Sequence, residues 1–395
     1  MKTTLSLLIC FMLSVQALAQ PSDKTGVTCT GTWAAAAEYT GKGDMPRTTN
    51  LANTSVRQIV KVSLGGNKLV LQLSNEFGSA PVEVKSVYIA DASDSCNINI
   101  KTSKYLTFNK KRKTVIPVGG VIDSDVLEYP LKPLQLLSIT VCYGDRVPEH
   151  STSHRGSRTT SYIARGEVKP KSTFKAFEKL EHWYNICKIN VLSTATAVAV
   201  LGNSITDGRG STTNKQNRWP DMMSEALNAK CPTGVLNLGI GGNCVVKGGL
   251  SEPALKRFDR DILGQSNVDR LIIFQGTNDI GTSHGQYEKV VEGMIRAYEE
   301  LIAKAKKKGM KVYGGTITPF KGNGWYSYFH EAMRRTVNQW IRTSGKFDGI
   351  IDFDELTRDP LDKEKLRDEY SEDGLHLNPA GYRAMGEYAA EILSR

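Results

Sequence analysis

Residues 197–211 read AVAVLGNSITDGRGS: five apolar residues, then a turn that stops the run and presents a small hydroxyl side chain, Ser204. A short unbroken apolar run closed by glycine is the pattern of a strand buried on both faces. Counting 196–201 as the first, comparable runs recur at 235–238, 270–274, 311–316 and 349–352. Helical periodicity fills the intervals at 218–230, 252–263, 286–308 and 328–343, and a last helix is expected over 379–393. Strand and helix in alternation predict right-handed crossovers and an α/β fold, a doubly wound parallel sheet with helices on both faces. Ligands of such sheets sit beyond the carboxyl ends of the strands. Residues that carry chemistry are therefore expected just after a strand.

The grammar before this region is different. From 27 to 170, segments such as 59–75, 82–90, 98–108 and 136–144 alternate apolar with polar residues and are separated by Gly-Gly, Asn and Pro. That pattern predicts an all-β, sandwich-like domain of antiparallel strands. Residues 171–195 read as a connector to the α/β domain of 196–395. The chain starts with Lys2, the apolar run LSLLICFMLSV and Ala-Leu-Ala at 17–19, the pattern of a secretory signal peptide over 1–19 with Gln20 as the new terminus. An exported, periplasmic or extracellular protein without stable membrane insertion is expected, because the apolar run is too short to span a bilayer.

Composition adds limits. The 51 Lys and Arg against 41 Asp and Glu give a net charge of +10, compatible with an acidic polymer or an anionic envelope and equally with an ordinary solvated surface. The run KKRK at 110–113 lies between strand-like segments and reads as a hairpin tip, so no nucleic-acid partner is expected. Besides Cys10 in the leader there are six cysteines, Cys29, Cys96, Cys142, Cys187, Cys231 and Cys244. Export permits disulfides, while their wide spacing fits buried thiols equally well. No Cys-x-x-Cys occurs, and His330-Glu331 continues as H-E-x-x-R with Arg334 where zinc would require a second histidine, so neither metal nor cofactor is expected.

Four loops carry the chemistry: GNSITDG at 202–208, NLGIGGN at 237–243, QGTNDIG at 275–281 and DGLHLNPAG at 373–381. A serine hydroxyl needs a neighbouring base to take its proton as it attacks. Among six histidines, His376 has an acid three residues earlier, Asp373, close enough within a turn to fix the ring tautomer. Ser204, His376 and Asp373 thus form a candidate catalytic set. Backbone N–H groups of Ser204 and Gly242 and the side-chain amide of Asn278 are candidate oxyanion donors.

These four blocks, in this order and spacing, resemble the signature blocks of SGNH hydrolases, the GDSL-like esterase/lipase family. The resemblance covers about residues 196–395 and implies a flavodoxin-like sheet. It also implies a nucleophile at Ser204, oxyanion donors at Gly242 and Asn278, and base and acid at His376 and Asp373. The family's usual Asp in the first block is Asn203 here. If that position only hydrogen-bonds the surrounding loop, Asn can substitute; if its charge tunes the site, activity falls. Exported bacterial relatives include carbohydrate acetylesterases, which implies an acylated glycan as substrate.

The loop FKGNGWYSYFH at 320–330 groups Trp325, Tyr326 and Tyr328, aromatics that suit stacking on sugar rings and equally suit a small apolar core under the loop. His154, Arg155 and Tyr162 are read as an ordinary inter-domain contact, the alternative being that they lean over the site. The sequence therefore predicts an exported serine esterase that removes short acyl groups, acetyl foremost, from a glycan. Two other readings stay open: a lysophospholipase or thioesterase, and a glycan-binding protein of weak turnover.

Overall fold

The computed structural model describes residues 28–395. The leader-like stretch 1–19, with Cys10, and the expected terminus Gln20 lie outside the described residues.

The β-rich part holds three antiparallel sheets. A five-stranded sheet runs Thr28–Ala34, Ile186–Ser193, Gly66–Ser74, Val121–Asp123, with Leu127–Leu131 also paired to Gly66–Ser74. A seven-stranded sheet is centred on Thr54–Lys61, Leu136–Tyr143 and Val82–Asp91, and a small third sheet joins Trp183–Tyr184, Ser151–His154 and Glu38–Thr40. One apolar cluster takes Trp33, Leu71 and Ile189 from the first sheet and Val56, Val87 and Ile139 from the second. The alternating polar positions of the second sheet are also buried. Arg57 donates to Thr140, Tyr88 and the Cys96 carbonyl, with the Phe174 ring 4.2 Å from its guanidinium carbon.

That burial revises one expectation. The stretch 171–195 is not a bare connector: Phe174 covers the polar face of the second sheet, and Ile186–Ser193 is an inner strand of the first, between Thr28–Ala34 and Gly66–Ser74. Its residues read as a linker because apolar and polar positions are mixed, yet the backbone ladder with two neighbours fixes it. The KKRK run falls on an exposed turn, where Arg112 lies 4.0 Å from the Tyr105 ring and Lys113 pairs with Glu83 at 2.5 Å.

The second part is a five-stranded parallel sheet of Ala197–Gly202, Gly234–Gly239, Val268–Phe274, Lys311–Gly315 and Gly349–Ile351, with the second strand outside the first: order 2-1-3-4-5. Each expected strand and helix of this region is present within a few residues. The helices Tyr287–Lys307 and Tyr328–Thr343 bury Leu301 and Val337 against one face. Trp219–Asn228 and Pro379–Leu393 bury Met223 and Met385 against the other. Starts are capped locally: Ser327 Oγ accepts the His330 N–H, and Asn378 Oδ1 accepts those of Ala380 and Gly381 ahead of a helix that opens on Pro379. No helix among the described residues is long and apolar enough to cross a membrane.

The two parts share a core. Ala34 and Ala36 pack in the same cluster as Leu236 and Leu238. The Gly31 N–H donates to the Ser266 carbonyl at 3.1 Å, the Val235 N–H donates to Ser63 Oγ at 2.9 Å, and Lys61 pairs with Glu225 at 2.6 Å. The backbones approach so closely that a Cβ on Gly234 would stand 2.2 Å from the Gly31 carbonyl oxygen. Cys96, Cys142, Cys187, Cys231 and Cys244 carry free thiols. Burial pushes the thiols of Cys187 and Cys244 up to about 12.

Gly234→Val is expected to lower the unfolding free energy by about 1–3 kcal/mol through overpacking at this joint. Gly293→Ala, in a helix and facing open space, is expected to raise it by roughly 0.5–1 kcal/mol. Denaturant midpoints at constant m-value check both.

Candidate active site

The first strand delivers Ser204. Ala197–Gly202 is buried throughout and ends level with its neighbours, Gly202 opposite Gly239 on one side and Phe274 on the other. A Cβ on Gly202 would stand 2.1 Å from Thr206 Oγ1, so only glycine lets the chain fold straight into the short helix Ser204–Asp207. Asn203 caps that helix, its Oδ1 accepting the Ile205 N–H at 3.0 Å. An amide serves this bond as a carboxylate would, so of the two roles considered for this position the loop-holding one is observed.

The last loop brings the base. Asp373 Oδ1 accepts the backbone N–H groups of Leu375 and His376 at 2.9 and 2.8 Å, while Oδ2 accepts the proton on His376 Nδ1 at 2.7 Å. Nδ1 therefore carries the ring proton, and Nε2 is left to accept from the Ser204 hydroxyl, 2.9 Å away. Burial holds the His376 imidazolium down, overriding the lift from Asp373, and the cations Arg209 and Arg158 add to the depression. Burial raises the Asp373 carboxyl, but the ring and the two backbone N–H groups bring it below its ordinary value. The imidazole is thus neutral at pH 7 and free to take a proton.

Donors stand opposite. Gly242 turns in the left-handed region, φ 70°, and a side chain there would press on Leu250. No hydrogen bond among the described residues uses its N–H. The Ser204 N–H is in the first turn of its helix, where an intrahelical partner is lacking. Asn278 sits in the short helix Thr277–Gly281 and donates one amide proton to the Asn243 carbonyl at 2.8 Å, which fixes its orientation and leaves the other for the cavity.

Buried groups hold these loops. Arg257 lies wholly out of solvent and donates to the carbonyls of Gly202 and Leu238, to Asn243 Oδ1 and to Asp261 at 2.9–3.2 Å. It thereby ties the ends of the first two strands to the oxyanion loop. Asp279 accepts the N–H groups of Val245 and Val246, and burial pushes it up to about 6.

A cavity of about 630 Å³ opens over Ser204, His376, Gly242 and Asn278. Part of its wall comes from the β-rich part: Glu38, Arg155, Gly156 and Arg158. Arg155 thus does stand at the site, whereas Tyr162 packs with Ala164 and Phe174 elsewhere. His154 is buried beneath the wall. Its Nδ1 donates to the Ala36 carbonyl at 3.0 Å and its Nε2 faces Asp207 Oδ1 at 2.8 Å. Burial opposes its protonation, yet the carboxylates of Asp207 and Glu38 outweigh it and hold the imidazolium above its ordinary value, in a ring that bridges the two parts. Trp325 lies on Gly281 and lines the cavity. Tyr326 instead donates to Glu364 at 2.5 Å, and Tyr328 is exposed at the start of its helix.

Sequence reasoning missed Asp207, Glu38, Arg158, Arg209 and Arg257. Asp207 had a signal, its place three residues after Ser204 on the same short helix. The arginines had none, because what distinguishes them is their neighbours across the fold. Among the described residues no three His, Cys, Asp or Glu side chains group as a metal site would require.

Residues 200–384 match the model of the GDSL-like Lipase/Acylhydrolase family, and the α/β part of the chain belongs to that family. Membership implies hydrolysis of esters. The match spans all five residues named from the four blocks. No curated protein matches the chain. Among solved structures it is similar to a GDSL-like lipase from Bacteroides thetaiotaomicron, at 19% identity and TM-score 0.39, covering 50% of this chain and 88% of that one. It is also similar to a carbohydrate acetylesterase from Sinorhizobium meliloti, at 16% identity and TM-score 0.40, covering 50% and 98%. An acetyl xylan esterase matches at 22% identity and TM-score 0.39, covering 49% and 98%.

The raised folded pKa of His154 fixes the sign of a pH effect. Its stabilisation is complete below the ordinary imidazole value of about 6.5 and is lost as pH rises through the folded value. Thermal unfolding is expected to show a decline on the alkaline side that His154→Gln lacks. At pH 6 the variant, with Asp207 buried beside a neutral amide, is expected to be less stable by about 3–5 kcal/mol.

Proposed function

We propose that the protein is an exported serine esterase that removes short acyl groups, acetyl foremost, from a polysaccharide or oligosaccharide through an acyl-enzyme. One observation carries the reading: Ser204 Oγ, His376 Nε2, His376 Nδ1 and Asp373 Oδ2 lie in line, with contacts of 2.9 and 2.7 Å. Ser204 Oγ attacks the ester carbonyl while its proton passes to His376 Nε2. The tetrahedral oxyanion faces the N–H groups of Ser204 and Gly242 and the amide of Asn278. On collapse the C–O bond to the sugar breaks, and the imidazolium returns the proton to the leaving oxygen. Water, deprotonated by His376, then attacks the acyl-serine, and carboxylic acid and free Ser204 result.

The cavity lining supports a short acyl group. Leu250, Leu375 and Trp325 are its few large apolar residues, set among Arg155, Arg158, Arg209, Thr277 and Thr282. A long acyl chain would want a more extended apolar wall, which weighs against the lysophospholipase and thioesterase readings. The indole of Trp325 offers a flat face for a sugar ring. Asn203 engages Ile205 and none of the reacting groups, which weighs against the reading of a glycan binder with weak turnover. The leader-like residues 1–19 support export.

Purified protein is expected to hydrolyse a chromogenic acetate ester faster than the octanoate, and Ser204→Ala to lower kcat by about 10⁴-fold or more. Because His376 must be neutral to accept the proton and its pKa lies below the ordinary value, kcat/KM is expected to fall on the acid side only below about pH 6.5. A variant as active as the parent, measured in the same assay, contradicts the proposal.

A further inference from the structure

The charges around the cavity do not balance. Arg155, Arg158 and Arg209 line it together with two carboxylates, Glu38 and Asp207. Glu38 is taken by Arg155, whose Nη2 and Nε donate to Oε1 at 2.7 and 3.1 Å and whose backbone N–H donates to Oε2 at 2.9 Å. Asp207 is taken by the His154 ring, Nε2 to Oδ1 at 2.8 Å. Arg155 is thereby neutralised, and the other two arginines are not. Arg158 keeps one long contact of 3.4 Å to Asp207, and its Nε is buried without a partner. No hydrogen bond or ion pair among the described residues engages the exposed guanidinium of Arg209.

The rest of the Arg158 guanidinium is partly exposed in the cavity lining and so open to an acceptor from a ligand. The acceptor that matches its planar fork is a carboxylate held by two parallel hydrogen bonds. Both cations line the same cavity as Ser204 and His376 rather than a separate surface. They also come from different parts of the chain, Arg158 from the β-rich part and Arg209 from the loop after Ser204.

Resting on the esterase reading of this site, we infer that Arg158 and Arg209 form a subsite for a carboxylate carried by the substrate close to the scissile ester. The carboxylate can come from the alcohol, as in an O-acetylated uronic acid unit of an acidic glycan, or from the acyl group, as in the half-ester of a dicarboxylic acid. In either case no residue reacts at this subsite; it orients the ester over Ser204 by charge and geometry.

Two substrate pairs test this with the full chain. The first is an O-acetylated oligouronide and the same oligosaccharide with its carboxyl groups reduced to alcohols. The second is the hemisuccinate and the acetate of one neutral sugar. At low ionic strength kcat/KM is expected to favour the carboxylate-bearing member of one pair by about tenfold, and the pair that responds identifies the source. Added salt is expected to shrink that preference. Arg209→Gln and Arg158→Gln are expected to bring the ratio towards one, with Arg209→Lys retaining part of it. Ratios of one in both pairs, with acyl release still measured, overturn the subsite and leave the esterase reading standing. If neither pair is hydrolysed, the esterase reading fails instead. Calorimetric titration of Ser204→Ala then decides the subsite alone: tighter binding of the oligouronide than of its reduced form supports it, and equal affinity overturns it.

Discussion

Parallel strands that end at one level are the constraint on which this site depends. Gly202 lies opposite Gly239 and Phe274, so the loops carrying Ser204, Gly242 and Asn278 leave the sheet side by side although more than seventy residues separate the first from the last. Each is then braced from within the protein. The Arg257 guanidinium gathers two strand ends and Asn243, and Asp279 gathers the segment after them. A buried charge is tolerated only when its donors or acceptors are fully used, so these groups resist displacement and hold the donors where negative charge would develop. Preorganisation of this kind costs nothing at the moment of reaction.

The β-rich part is continuous with the α/β part rather than an appendage. Its strand Thr28–Ala34 packs directly on the strand Gly234–Gly239, and Ala34 and Ala36 enter the core on that side. At the cavity it contributes Glu38, Arg155 and Arg158. Its His154 reaches Asp207, on the same helical turn as Ser204. A shift of the β-rich part would therefore be felt at the turn that carries the candidate nucleophile. The cavity is composite, with an α/β floor and an arginine-bearing wall from the preceding sheets.

Much of this was legible in the sequence, and the reasons are specific. Apolar runs such as AVAVL and the 3.6-residue periodicity of 287–307 report burial on two faces and on one, so the parallel sheet and its helices could be placed within a few residues. Ser204, Gly242, Asn278, Asp373 and His376 could be found because each sits in a short loop directly beyond a strand or just before the last helix. Arg158, Arg257 and Glu38 could not. Their roles arise from partners that only the fold brings together, Arg155 for Glu38, Asp207 for Arg158, and the Gly202 and Leu238 carbonyls for Arg257, or from a charge balance summed over both parts. The strand Ile186–Ser193 was hidden for a related reason: its place is set by pairing with Thr28–Ala34 and Gly66–Ser74, and cross-strand pairing leaves little trace in one segment read alone.

The central claim is that Ser204 is an activated nucleophile. A fluorophosphonate, which bonds covalently only to a serine whose proton can be removed, tests it most directly when followed by peptide mass mapping. Stoichiometric modification of Ser204, lost in His376→Ala while the fold persists, is the predicted result. An unmodified Ser204 in the folded wild-type protein, or a label carried by another serine, would contradict it.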